Sequence, residues 1–181
     1  LEIIKRYPAD ALRYFLIREI PFGEDGDFSE EALKNRLNNE LANDLGNLLS
    51  RSLTLVEKYC KGKVPKGKNE LPFELNKIEK YMEKYELHNA LSEIWKYVNE
   101  VNKYINDKKP WEAEKKENIL YTIVDSLRII AVVLEPFIPE TTEKINQQLG
   151  RHKGTLKEAK VDLLQSGGKI KKGEHLFEKI E

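Results

Sequence analysis

The sequence predicts an all-α protein, an antiparallel helical bundle, and three observations carry that expectation. Residues 28–59 place Leu33, Leu37, Leu41, Leu45, Leu48 and Val56 at steps of three or four, or multiples of them, which is one apolar face of a long helix. Residues 118–135 hold Ile119, Leu120, Ile123, Val124, Leu127, Ile130, Ala131 and Leu134, the most apolar periodic stretch of the chain and the one expected deepest in the core. The connections between such stretches are short and punctuated by Pro and Gly, which turns successive helices back on one another.

Taken in order, residues 1–21 read as a short lead-in and a helix, with Pro8 suited to its first turn, Leu12, Phe15, Leu16 and Ile20 on its apolar side, and Pro21 as its stop. Residues 22–27 form a Gly-rich acidic loop. Ser29 can cap the long helix that follows, and Phe28 can pack on Leu33. That helix carries Asn35, Asn38, Asn39, Asn43 and Asn47, although asparagine amides compete for backbone hydrogen bonds. Asn39, Asn43, Asn47 and Arg51 lie at successive i, i+4 steps and make a slowly turning polar stripe. Gly46, which costs a helix about 1 kcal/mol relative to Ala, implies a close approach by another helix or a ligand. A Gly-, Pro- and Lys-rich loop (61–72) leads to a short helix (74–84). The next helix (87–107) has Leu87, Ala90, Leu91, Ile94, Val98, Val101 and Ile105 on one face. Pro110 disfavours helix at Lys109 and sets Trp111 just past the turn. Pro136 and Pro139 separate the apolar helix from a last one (140–149). The Lys- and Gly-rich remainder reads as loop, with one short strand or turn near 169–177.

Composition narrows the function. The 181 residues suit one domain with room for an appendage at either end, and 31 Lys+Arg balance 31 Asp+Glu. Zero net charge argues against a nonspecific nucleic-acid coat while leaving room for a local site. The single Cys60 excludes an intrachain disulfide and points to a reducing compartment. No apolar run is long enough to span a membrane, and no signal peptide is visible. The charge is mostly Lys and Glu, a bias seen in thermophiles. A first residue of Leu1 suggests an excerpt of a longer protein.

No catalytic constellation emerges. His88, His152 and His175 are scattered and share no metal-ligand spacing with Cys60. Gly167, Gly168 and Lys169 lack the earlier glycine of a phosphate loop and read as flexible tail. Glu24, Asp25 and Asp27 do not match a calcium loop and read as a polar turn before a helix.

Four stretches in order carry a resemblance: ADALRYFLIREIPFGEDGDFS (9–29), NELANDLGNLLSR (39–51), NKYINDKKPW (102–111) and LEPFIPETTEKINQQLG (134–150). Together they resemble the anticodon-binding domain of methionyl-tRNA synthetases. The resemblance implies three parts: the end of the stem-contact fold with its linker helix (1–27), where Lys5, Arg13 and Arg18 would brace the inside of the tRNA, the anticodon-binding bundle (28–150), and a C-terminal extension of the core (151–181). The ATP motifs of the family's catalytic domain precede the matched region and are absent here, so no catalytic residue and no cofactor are expected in this chain. ATP and magnesium belong to that catalytic domain. The implied partners are initiator and elongator methionine tRNAs, through their anticodon loop, and the catalytic domain of the same cytoplasmic enzyme.

The resemblance also assigns residues. Asn47 and Arg51 offer an amide and a guanidinium fork one turn apart, able to read the edge of one unpaired base, although residue type and spacing alone favour a solvated helix face or an i, i+4 hydrogen-bonded pair. In the family the matching residues contact the cytosine of CAU. Trp111 could be a core residue by type, but the family's Pro-Trp tryptophan stacks on an anticodon base, and Pro110 with Trp111 matches it. Asn39 and Asn43 stay divided between helix-to-helix hydrogen bonding and RNA contact. Asn102 and Asn106, near the end of the helix leading to Trp111, are candidates against a solvated face. Trp95, between Leu91, Ile94 and Val98, is assigned to packing. Two rivals remain: a helical module that docks another synthetase subunit, and the anticodon domain of a related class I synthetase, for valine, isoleucine, leucine or cysteine.

Overall fold

The structure, a computed structural model, describes residues 2–20, 23, 25–26 and 28–180. Pro21, Phe22, Glu24 and Asp27 lie outside them, so half of the acidic loop (22–27) goes undescribed. The helices are α1 (Ile3–Arg6), α2 (Ala9–Glu19), α3 (Glu30–Arg36), a π-helical stretch (Leu37–Gly46), α4 (Asn47–Cys60), α5 (Leu75–Glu83), α6 (Leu87–Lys108), α7 (Glu117–Leu134) and α8 (Pro139–Gln148). This is the all-α bundle expected, and its boundaries fall within a residue or two of the punctuation in the sequence. Among the described residues the β contact is one isolated antiparallel bridge, Lys63 to Lys169.

The long helix differs from expectation in its middle. Ser29 caps its start, accepting the Ala32 N–H at 3.2 Å, and Leu33, Leu37, Leu41, Leu45, Leu48 and Val56 are all buried. Ten residues between α3 and α4 nevertheless wind as a π-helix, with one residue more per hydrogen-bonded turn. Leu33, Leu37, Leu41 and Leu45, at steps of four through this stretch, keep one buried face. Gly46 also reads differently. The atom a Cβ there would meet is the Leu41 carbonyl oxygen, 3.3 Å away and five residues back in the same helix, so the crowding comes from the wide turn itself and not from a neighbouring helix.

Helix α7 lies at the centre, with every residue from Leu120 to Leu134 buried. Its buried set includes Asp125, Ser126 and Arg128, which periodicity alone does not foresee. Arg128 Nε donates to Asp125 Oδ1 at 2.7 Å, and its two terminal nitrogens donate to the carbonyls of Glu158 and Lys160. Asp125 accepts further hydrogen bonds from the Asn69 amide (3.0 Å) and from the backbone N–H groups of Asp162 (2.7 Å) and Leu164 (3.2 Å). A buried ion pair is tolerable when its remaining polar atoms are satisfied in this way.

Two of the family-like stretches meet here. Asp10 of α2 accepts both the N–H (2.6 Å) and the hydroxyl (2.7 Å) of Thr141. It thereby caps the first turn of α8 from across the molecule. Arg13 donates to the carbonyl of Phe137 at 2.9 Å and to that of Pro136 at 3.3 Å. Helix α2 is also rotated from the expected apolar side: Ala11, Tyr14 and Phe15 are buried and Leu16 is exposed. The rotation seats Tyr14 against Trp95, ring centroids 4.7 Å apart, with its hydroxyl on Glu40.

The residues after Gly150 are fastened rather than loose. The Gly167 N–H donates to the Val64 carbonyl (2.8 Å), and the Val64 N–H donates to the Gly168 carbonyl (2.9 Å). From there the chain runs back along the long helix as a strap. The Lys172 N–H donates to Glu57 (3.1 Å), Leu176 and Phe177 are buried, and the Asn38 amide both donates to the Ile180 carbonyl (2.8 Å) and accepts its N–H (2.9 Å).

Candidate nucleic-acid interface

Helix α4 presents Asn47 and Arg51 one turn apart at the point where the π-helical stretch ends. Helix α6 ends beside it, because Lys109 adopts a left-handed conformation (φ 42°) and turns the chain. These two ends bring Arg51, Asn106 and Trp111 together. Arg51 Nη1 donates to Asn106 Oδ1 at 2.8 Å, and the guanidinium carbon lies 5.0 Å from the Trp111 ring centroid. That distance is within cation–π range. The Trp111 indole N–H donates to the adjacent Glu112 at 3.1 Å, and the side chain stays 40% exposed, so this tryptophan is not part of the core. Among the described residues Asn106 is the one hydrogen-bond acceptor of Arg51, leaving the other guanidinium donors open.

The asparagines divide by role. Asn47 is exposed and donates to Asn43 Oδ1 at 3.0 Å, one helical turn back, so the two amides form a ladder on the surface. Asn43 is exposed and donates a long contact, 3.5 Å, to Asp44. Asn39 is exposed and makes no side-chain hydrogen bond among the described residues. Asn102 is half-buried and structural: its amide donates to the Asp44 carbonyl (3.1 Å) and to the Val98 carbonyl (3.3 Å), stitching α6 to the last π turn. Asn38, which sequence reasoning left aside, is the clamp for the end of the strap.

Asp44 lies beneath this surface. Its carboxylate accepts the Trp95 indole N–H at 3.4 Å, and Trp95 is buried as assigned. Burial pushes the Asp44 carboxyl above its ordinary value, with the hydrogen bonds from Trp95 and Asn43 working against that rise. Beside it Glu40 joins α2 to the π stretch through Tyr14, Arg18 and Arg36. The resulting surface has one exposed indole, a partly free guanidinium fork and a ladder of amides over a fixed base. That set suits an unpaired base, by stacking on the ring and by hydrogen bonds to its edge.

Comparisons with known proteins identify the family. Residues 73–178, more than half of the chain, match the family described as the anticodon-binding domain of tRNA ligase, and residues 1–53 match the class I tRNA synthetase family designated M. Methionine–tRNA ligase of Caldanaerobacter subterraneus subsp. tengcongensis is 45% identical over 99% of this chain, and that of Clostridium acetobutylicum is 39% identical over 99%. The chain spans 31% of the length of each. Free-state Mycobacterium tuberculosis methionyl-tRNA synthetase superposes with a TM-score of 0.88 at 30% identity, covering 99% of this chain and 40% of that one. The same enzyme in complex with methionyl-adenylate gives 0.86 at 31% identity, covering 97% and 38%. No helix among the described residues is long and apolar enough to cross a membrane. The chain belongs to the family of anticodon-binding domains of tRNA ligases.

Proposed function

We propose that this chain reads the CAU anticodon of methionine tRNAs, initiator and elongator, for a cytoplasmic methionine–tRNA ligase. The observation that supports this most directly is the meeting of Arg51, Asn106 and Trp111 on an exposed surface beside Asn47. Arg51 and Asn47 supply donors and an acceptor to the edge of the cytosine, and Trp111 supplies a stacking face. Asn106 holds the guanidinium in place until the base arrives. Asn43 aligns the Asn47 amide, and Asn39 extends the same polar surface. In this reading methionine, ATP and magnesium are bound by the catalytic domain of the same enzyme, and correct anticodon binding favours productive placement of the acceptor end there.

The test is binding of a CAU stem-loop against one in which the cytosine alone is replaced. The reading expects the CAU loop to be preferred by roughly 1–3 kcal/mol, the range known for base-edge pairs in DNA recognition. Equal affinity for the two loops would reject it.

A further inference from the structure

Helix α4 continues beyond Arg51 for more than two turns, and its outward face is not used by the base-reading group. At about 100° per residue, Asn47, Arg51, Thr54 and Lys58 fall within roughly 60° of one another on that face. Two segments flank it. On one side runs the loop after α6, with Trp111 over Arg51 and Lys116 over Tyr59. On the other side runs the C-terminal strap, which sets Lys172 Nζ 2.9 Å from the Thr54 hydroxyl and its backbone N–H on Glu57. The ammonium groups of Lys58 and Lys116 each lie 5.1 Å from the centroid of the Tyr59 ring.

The helix face and both flanking segments therefore carry a cation. Among the described residues none of Lys58, Lys116 and Lys172 forms an ion pair, although Glu57 and Glu117 stand on the same stretch. In a chain whose charges sum to zero, three cations without acidic partners along one helix face are a local concentration of positive charge. The face starts at the base-reading residues and runs about 10 Å from Arg51 to Lys58.

We propose that the RNA strand leaving the anticodon bases runs along this face, with Lys58, Lys116 and Lys172 contacting its phosphates. The inference rests on the anticodon-reading function proposed above and adds to it a backbone track, one wall of which is built by the strap. Such contacts add affinity without sequence preference. The strap is then part of the RNA interface as well as of the fold.

The experiment compares the parent chain with Lys58→Gln, Lys116→Gln, Lys172→Gln and the triple variant, each first checked for unchanged thermal unfolding. Binding of the CAU stem-loop and of the cytosine-replaced loop is measured between 50 and 200 mM salt. The triple variant is expected to bind both loops roughly tenfold or more weakly at the lower salt, with the slope of log affinity against log salt smaller in magnitude by about two and the preference for CAU intact. Lys172→Glu should exceed Lys172→Gln in effect. An unchanged slope and affinity in the triple variant, with the parent still preferring CAU, overturns the backbone track alone. A parent chain that binds neither loop overturns the track together with the function it rests on.

Discussion

Arg51 lies over the Trp111 ring at 5.0 Å while anchored to Asn106 at 2.8 Å, so one face of the indole is already covered. A base that stacks on Trp111 must take the other face or displace the guanidinium. Stacking on an aromatic platform is worth roughly 1–3 kcal/mol per base. Trp111→Ala is therefore expected to lower stem-loop affinity by about ten- to a hundredfold, with Trp111→Phe retaining part of it. Because the side chain is 40% exposed, truncation leaves no core cavity and the melting temperature should hardly move. Thermal melts and titrations on one preparation check both halves. A large loss of stability with RNA affinity intact would refute the assignment.

Arg51 separates base reading from simple charge. Arg51→Lys keeps a cation but loses the planar fork that can address a base edge. The expected outcome is retention of much of the affinity at low salt with loss of the preference for cytosine. If Arg51 served only a phosphate, Arg51→Lys would keep the preference and Arg51→Ala would weaken both loops equally. Affinities for the two loops at two salt concentrations distinguish the cases.

Asp125 tests the buried network. It accepts hydrogen bonds from Arg128, Asn69, Asp162 and Leu164, and both members of the ion pair are fully buried. Asp125→Ala leaves the Arg128 charge without its partner and is expected to cost about 3–5 kcal/mol. Chemical denaturation measures the loss, and a cost below 1 kcal/mol would show the pair to be dispensable.

Asp44 gives a pH dependence. Its folded-state pKa is raised above the ordinary value of 3.8 by burial. The folded state thus holds this proton more tightly than the unfolded chain. The contribution of Asp44 to stability is greatest at low pH and is lost as pH rises from the unfolded value through the folded one. Asp44→Asn removes that loss, so the variant should melt above the parent at pH 7, and the difference should shrink toward zero at pH 3. A gap of equal size at both values would mean that the gain is not electrostatic.

Much of the bundle was legible in the sequence because its helices are amphipathic and its turns are marked by Pro and Gly. The burial of Leu91, Ile94, Val98 and Ile105 follows from spacing alone. Asn47, Arg51 and Trp111 were named as candidates through the resemblance, and the packing role of Trp95 followed from its apolar neighbours. The features that were not legible depend on partners distant in sequence. Nothing near Asp10 reveals Thr141, and nothing near Asn38 reveals Ile180. The side of α2 that is buried was misread for the same reason, since Tyr14 is directed by Trp95 and Glu40. The strap was underestimated because its Lys- and Gly-rich composition conceals a few buried anchors, Leu164, Ile170, Leu176 and Phe177, spaced too irregularly to show a period.

The clamp between Asn38 and Ile180 closes over 142 positions of sequence, and that sets an order of events while the chain is being made. At synthesis rates of about 5–20 residues per second, the side chain of Asn38 waits roughly 7–30 s for its partner. Over that interval the π-helical stretch that carries Asn39 and Asn43 exists without its strap. A ribosome-bound intermediate stalled before residue 170 should therefore lack the cover over this stretch, which is the last part of the bundle to become fixed.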